Sequence, residues 1–168
     1  MKPNNENLIE HRQLIKMLHY DPETGYFTWL VTRGAAKLGM KAGRIMANGY
    51  VRIEIFGKQY MAHRLAWFYT HKEWPKSDID HGNRNRNDNR LCNLRIASRA
   101  QNNGNKPIHP RNKIGLKGVC RSSKYKFAAR IKIKGKFDHL GTFDCPVAAH
   151  FAYQIAANKY FGEFARYA

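Results

Sequence analysis

Residues 80–94, DHGNRNRNDNRLCNL, place five asparagines and three arginines in a chain otherwise rich in Ile, Phe, Tyr and Trp. Small amide side chains satisfy loop backbone groups, so this run reads as a loop, either a linker or an active-site loop. Its flanks narrow the choice. SDIDH (77–81) reads as a short strand running into it, and LRIAS (94–98) as the strand leaving it. Ser98 followed by Gln101 is a capping-box pattern, so a helix begins at Ser98. A strand–loop–strand–helix of this size folds back on itself. It can bring Asp80 and His81, at the end of the first strand, towards Asn102 in the first turn of the helix.

Upstream, LIEHRQLIKML (8–18) has the apolar spacing of a short amphipathic helix. DPETG (21–25) reads as a turn and YFTWL (26–30) as a strand. The basic, Gly/Ala-rich segment 32–43 reads as a loop. Asn48-Gly49 lies between two strand-like runs, a strong hairpin signal. Val51, Ile53 and Ile55 share one face of the second run, with Arg52 and Glu54 on the other. From His63 to His71 the pattern turns helical, with Trp67 and Phe68 as expected buried anchors. His63 itself reads as a helix-start or packing histidine rather than a second catalytic residue.

Downstream, GNKPIHPRNKIG (104–115) carries two prolines and reads as a linker. LKGVCRS, KFAARIKIK and KFDHLGTFD then read as three strands, and CPVAAHFAYQIAANKYFG as a helix. Pro146 suits that helix's first turn and Gly162 its end. In the middle strand Phe127, Ala129, Ile131 and Ile133 share one face, and Ala128, Arg130, Lys132 and Lys134 the other. One sheet face therefore packs on the alanine-rich helix, and the opposite face is cationic. The expected organisation is a first domain over 1–107 with its core motif at 80–107, a linker at 108–113, and a second domain over 114–168.

Thirty Lys and Arg against twelve Asp and Glu give a formal charge of +18. The excess is spread along the chain, about +5 over 1–79, +6 over 80–113 and +7 over 114–168. That pattern fits an extended face tracking a polyanion better than a basic tail on a neutral body. No apolar run is long enough to span a membrane. The N-terminal MKPNNENLIEHRQ lacks an apolar signal core, so a cytoplasmic location is expected. Cys92, Cys120 and Cys145 form no CxxC pair, so neither a disulfide framework nor a cysteine zinc site is implied.

The polar loop and its flanks carry the chemistry. Asp80 and Asn102 offer hard oxygen donors, which suit Mg²⁺ or Mn²⁺. A neutral histidine beside such an ion can take a proton from water at physiological pH. A divalent cation with a general base is a compact arrangement for hydrolysing a phosphodiester.

With these residues, DHGNRNRNDNRLCNLRIASRAQNN and the upstream HRLAWFYTH resemble the HNH, or ββα-metal, endonucleases, and within them the homing endonucleases of phages and introns. The resemblance implies His81 as general base and Asp80 and Asn102 as holders of one divalent metal. It implies that Asn93 pins the loop so that His81 points correctly, and that Arg84 and Arg86 face phosphate. Residues 114–164 resemble the AP2 DNA-binding domain, whose three-stranded sheet enters a major groove. That implies duplex DNA contacts from Lys124, Arg130, Lys132, Lys134 and His139, with Cys120, Ser122 and Phe137 also outward. Cys120, Ser122 and Lys124 depart from the Arg and Trp common in plant AP2 domains, so no recognition code carries over. The expected fold class is α+β: an HNH motif preceded by a β-hairpin and helix, then a small three-stranded antiparallel sheet packed on one helix. The expected protein is a phage or mobile-element endonuclease acting on double-stranded DNA in a bacterial or phage-infected cell. It is expected to be a monomer without a small-molecule cofactor. The competing expectation is a non-catalytic, sequence-specific DNA-binding regulator derived from such a nuclease.

Overall fold

The computed structural model describes residues 8–168. The polar N-terminal stretch lies, up to residue 7, outside them. The chain divides into two compact units between Ile96 and Ala97.

The first unit opens with α1 (His11–Met17), closed at its start by a reciprocal capping box between Glu10 and Gln13. At Leu18 the backbone turns extended and the chain enters β1 (Leu18–Asp21), which pairs antiparallel with β2 (Tyr26–Trp29). The apolar spacing that predicts a helix through residue 18 hides the start of β1, because Leu18 is buried in either geometry. The turn between the strands is held by the Asp21 carboxylate, which accepts from the Glu23 N–H (2.9 Å) and the Thr24 hydroxyl (2.7 Å).

A three-stranded antiparallel sheet follows, in the order β3 (Arg44–Ile45), β4 (Val51–Ile55), β5 (Lys58–Met61). The hairpin predicted at Asn48-Gly49 joins β3 to β4: Ile45 faces Val51, and Gly49 takes φ +84°. Val51, Ile53 and Ile55 are buried, as the alternation predicts. Helix α2 (Ala62–His71) follows β5 directly. Of its two expected anchors only Phe68 is buried. Neighbouring helical residues point about 100° apart, and Trp67 is half-buried, stacked on His71. Arg64 donates to the carbonyls of Pro75 (2.8 Å) and Ser77 (3.0 Å), fixing the connection into β6 (Asp78–His81). β6 pairs with β7 (Leu94–Ala97), and the polar run lies between them. The core of this unit gathers Leu14, Leu18, Phe27, Ile53, Leu65 and Phe68.

The second unit begins with Ala97 and α3 (Arg99–Gly104). Its capping box is the one the spacing predicts: Ser98 Oγ accepts from the Gln101 N–H (3.2 Å) and Gln101 Oε1 from the Ser98 N–H (2.8 Å). Strands β8 (Val119–Arg121), β9 (Phe127–Ile133) and β10 (Lys136–Phe143) form an antiparallel sheet with β9 central. Helix α4 (Pro146–Phe161) packs on it, with proline in its first turn and Gly162 at φ +53° beyond its last. Ala149 packs with Val119 and Ala129, and Tyr153, Ala157 and Phe161 pack with Ile131.

Two features of the expected cationic face are corrected. Ala128 is buried, and Lys134 lies outside the strand. Lys134 at φ +47° and Gly135 at φ +86° form the two-residue turn joining β9 to β10, which requires both in the left-handed region. The contact boundary also falls ahead of α3, not within 108–113. Ala97 and Ala100 cluster with Tyr153 and Phe161, and a Cβ on Gly104 would lie 2.6 Å from the Phe161 ring. Helix α3 thus shares a core with α4.

Gly25 and Gly57 both hold positive φ, at +72° and +71°. A Cβ on Gly25 would stand 2.5 Å from the Arg90 amide nitrogen and 2.7 Å from the Asn89 carbonyl carbon, whereas one on Gly57 would meet nothing within 4 Å among the described residues. Gly57→Ala is expected to cost about 1 kcal/mol, the left-handed penalty alone. Gly25→Ala is expected to cost about 3 kcal/mol, because the polar loop must also shift. Urea unfolding of both variants measures the difference, and equal losses would show that the Gly25–loop contact contributes nothing.

Candidate active site

Asp80 and His81 end β6 and are almost fully buried, 7% and 3% exposed. A buried carboxylate needs compensation, and Arg95 on β7 supplies it: its Nε and a terminal nitrogen donate to Asp80 Oδ2 at 3.0 and 2.9 Å.

The chain leaving His81 is gathered by Asn93, which is buried at the far end of the loop. Asn93 O accepts from the Gly82 N–H (2.8 Å), its Oδ1 accepts from the Asn83 N–H (2.8 Å), and its Nδ2 donates to Asp88 O (2.7 Å). Between these points the asparagines turn the backbone in steps. Asn83 Oδ1 accepts from the Asn85 N–H (2.8 Å), and Asn85 Oδ1 from the Asn87 N–H (3.1 Å). Asp88 accepts from Arg90 Nε (2.8 Å) and a terminal nitrogen (2.6 Å). Those bonds, with help from Asn83, hold its carboxyl down at about 2. Tyr20 donates from its hydroxyl to Asn89 O (2.8 Å), tying the β1–β2 hairpin to the loop.

Among the described residues, His81 Nε2 is buried without a hydrogen-bond partner, and so is His63 Nδ1. The two rings lie 5.2 Å apart at 77°, with the Tyr50 ring 5.7 Å from His81 and 5.2 Å from His63. Burial pulls the His81 imidazole below its usual range, against Asn89, Asp80 and Asp88, which favour its protonated form. Burial, followed by His81 and Arg64, pushes His63 down to about 3. The pocket therefore presents neutral imidazole, the form that accepts a proton. His63 packs in the first turn of α2, as its position predicts, but its orphaned nitrogen beside His81 gives it a closer relation to the site than packing alone.

The remaining predicted residues are dispersed. Asn102 is in the first turn of α3, half-buried, within the second unit. Arg84 is exposed at φ +64°. Arg86 donates to Asn48 O (2.9 Å), with its guanidinium 4.9 Å from the Tyr50 ring centre. Lys124 is in the exposed β8–β9 connection, beside Tyr125. Arg130 and Lys132 extend from β9 near the exposed Phe137 ring, at 5.8 and 5.3 Å from its centre. Lys134 is at the β9–β10 turn. His139 is exposed on β10, where its Nε2 shares a hydrogen bond with the Thr142 hydroxyl (3.3 Å). Among the described residues no three His, Cys, Asp or Glu side chains gather into a ready metal cluster. Arg95, Tyr50 and Asn89 escape sequence reading because strand register and ring packing bring them to the site, and no spacing marks either.

The geometry is that of a buried acid–histidine pair at the mouth of a clasped polar loop, on a two-stranded hairpin. An HNH endonuclease family model matches residues 60–104, from β5 to the end of α3. The chain therefore carries an HNH-type nuclease domain over that stretch. Neither the curated proteins nor the solved structures provide a match. No helix among the described residues is long and apolar enough to cross a membrane.

The depressed His63 makes stability depend on pH. Below about 6.5 the unfolded chain takes up a proton on this imidazole that the folded chain refuses until about pH 3. Its contribution is thus fully present above pH 6.5 and falls as pH drops through that window, with a limiting slope near 1.4 kcal/mol per pH unit. Urea unfolding between pH 7.5 and 4.5 should show this loss, and His63→Phe should flatten it. An identical slope in the variant would remove His63 as its source.

Proposed function

We propose that the chain is a metal-dependent DNA endonuclease with His81 as its general base. The observation that carries this reading is the buried His81 Nε2, which has no hydrogen-bond partner among the described residues and belongs to the residue next to the buried Asp80. A buried polar atom left without a partner is costly, and such cost is characteristic of a site organised for a substrate. Burial favours the neutral ring, and Asn93 fixes the backbone just beyond it, so the imidazole is held ready to take a proton from water.

Asp80 fits a hard divalent cation as an anionic oxygen donor, with Arg95 sharing its Oδ2. Asn102 is its partner ligand through the family resemblance alone. Mg²⁺ or Mn²⁺ at Asp80 would offset charge on the scissile phosphate and the leaving oxygen. Arg84 and Arg86, within the loop, serve as phosphate contacts. In the second unit, the AP2-like reading assigns Arg130 and Lys132 to a duplex groove, with Lys124, Lys134 and His139 at its margins. One active site per chain fits a monomer that nicks.

His81→Ala is expected to lower plasmid nicking in Mg²⁺ by about 10²–10⁴-fold, with duplex affinity changed less than about threefold because many cationic contacts supply it. EDTA should stop the wild-type reaction and Mn²⁺ restore it. Undiminished cleavage by His81→Ala would remove the histidine from the mechanism, and full activity in EDTA would remove the metal.

Duplex affinity should fall steeply with salt. Neutralising about 6–10 phosphates predicts a loss of about 10³–10⁵ between 50 and 200 mM salt. Fluorescence anisotropy with a labelled duplex measures it, and a flat response would assign the +18 charge to another partner.

A further inference from the structure

A general base must come within hydrogen-bond reach of the water it deprotonates. As folded, His81 is out of that reach: the residue is 3% exposed and its Nε2 is buried. A wall of its pocket has to move before the proposed chemistry begins, and the walls differ in how firmly each is held. His63 stands in the first turn of α2, among the buried Ala62, Leu65 and Ala66. On the loop side, Asn93 clasps the backbone that follows His81. Withdrawing either would break into the core or undo the loop.

Tyr50 is held differently. Its ring stands 5.7 Å from His81 and 5.2 Å from His63, yet the residue is only half-buried and follows the exposed Ala47 and Asn48 of the β3–β4 hairpin. The exposed Arg86 lies on this ring, its guanidinium carbon 4.9 Å from the ring centre. A terminal nitrogen of Arg86 donates to Asn48 O (2.9 Å). Its stem adjoins the turn at Gly49, where a Cβ would meet Arg86 Cβ and Cδ at 3.7 and 3.8 Å. One arginine of the polar loop thus fastens the hairpin that carries Tyr50.

That fastening is open to competition from phosphate. A phosphate carries the opposite charge and can accept two parallel hydrogen bonds from a guanidinium, whereas Asn48 O is neutral and accepts one. We infer that Arg86 couples phosphate capture to the uncovering of His81: as its guanidinium passes from Asn48 O to a DNA phosphate it releases Tyr50, and the histidine meets water only then. This coupling rests on the nuclease reading above, and every residue in it belongs to the first unit. Tyr50 and Arg86 transfer no proton; they set when the base is reachable.

The test measures acylation of His81 by diethyl pyrocarbonate, which attacks accessible neutral imidazole, in the whole chain without DNA. Mass spectrometry maps the modified histidines, and the exposed His19 corrects for reagent loss. Inorganic phosphate is the probe, against chloride at equal ionic strength. In wild type, saturating phosphate should raise the His81 rate relative to His19 about tenfold, the scale of one cation–π contact and one hydrogen bond given up. Arg86→Met keeps an apolar stem and removes the guanidinium. Its His81 should react at the faster rate without phosphate and no longer respond to it. Tyr50→Ala should behave in the same way with Arg86 in place. A wild-type His81 rate that phosphate leaves unchanged overturns the coupling, and so does an Arg86→Met protein as protected as wild type. If Tyr50→Ala does not fold, the wild-type and Arg86→Met rates decide.

Plasmid nicking separates this coupling from the reading beneath it. A wild type that nicks in Mg²⁺ or Mn²⁺ while its His81 ignores phosphate overturns the coupling alone. A His81 that phosphate uncovers, in a chain that nicks with no divalent ion tried, overturns the nuclease reading and the catalytic use of the cover with it.

Discussion

The side chain of Asn93 holds the polar loop in one shape, and the candidate site depends on that shape. A neutral amide has donors and an acceptor pointing apart, so one buried Asn can satisfy two strands of backbone at once. Asn93 does this with the Asn83 N–H on one side and the Asp88 carbonyl on the other. An aspartate there would lose the donor to Asp88, and a leucine would strand both backbone groups. Because Gly82 also bonds to the Asn93 backbone, the residue directly after His81 is fixed, and the imidazole enters its pocket from a defined direction.

That pocket sits uneasily with ordinary core design. Two imidazoles, each with a buried nitrogen unpartnered among the described residues, face each other where aliphatic side chains would be cheaper. The surroundings limit the cost without removing it. Arg95 neutralises Asp80, the Tyr50 ring covers both histidines, and Arg86 lies over Tyr50 while anchored to the Asn48 carbonyl. The hairpin at Asn48-Gly49 thus takes part in enclosing the site as well as reversing the chain. Residues that read separately as turn, helix start and loop become one arrangement through packing.

What was legible in the sequence follows from how local each cause is. The Ser98–Gln101 box, the Asn48-Gly49 hairpin, the Pro146 start and the Gly162 stop each depend on neighbours within a few residues, and all form as their spacing predicts. The alternation of β4 and β9 is equally local, and it places Ile53 and Ile131 inside. Period-2 patterning carries no mark of where a strand ends, however, so Lys134 reads as strand although it turns the corner. β1 is obscured because Met17 and Leu18 satisfy a helical and an extended pattern alike. At the candidate site, Asp80, His81 and Asn93 stand out by their order around the polar run, and the structure buries all three. Arg95 on Asp80, and the approach of His63 to His81, depend on strand register and on packing between distant segments, and neither leaves a trace in spacing.

The limits of α3 show that a chemical motif and a folding unit need not share boundaries. The HNH match runs continuously from residue 60 to 104, whereas the contact division falls between Ile96 and Ala97. The motif is continuous because its chemistry is defined by residue types in order. The fold divides before α3 because a six-residue helix lacks the apolar area to form a core of its own and takes the one that α4 offers. Ala97, Ala100 and Gly104 are small, and small residues let a helix approach an aromatic wall closely, which is what Tyr153 and Phe161 provide. The proline-bearing segment after α3 is correspondingly less independent than its composition suggests. Asn112 donates to the carbonyls of Leu116 and Val119, and Lys106 is bonded by Lys117. A segment with loop composition is thereby fastened to the sheet it precedes, and the last helix of the motif is fastened with it.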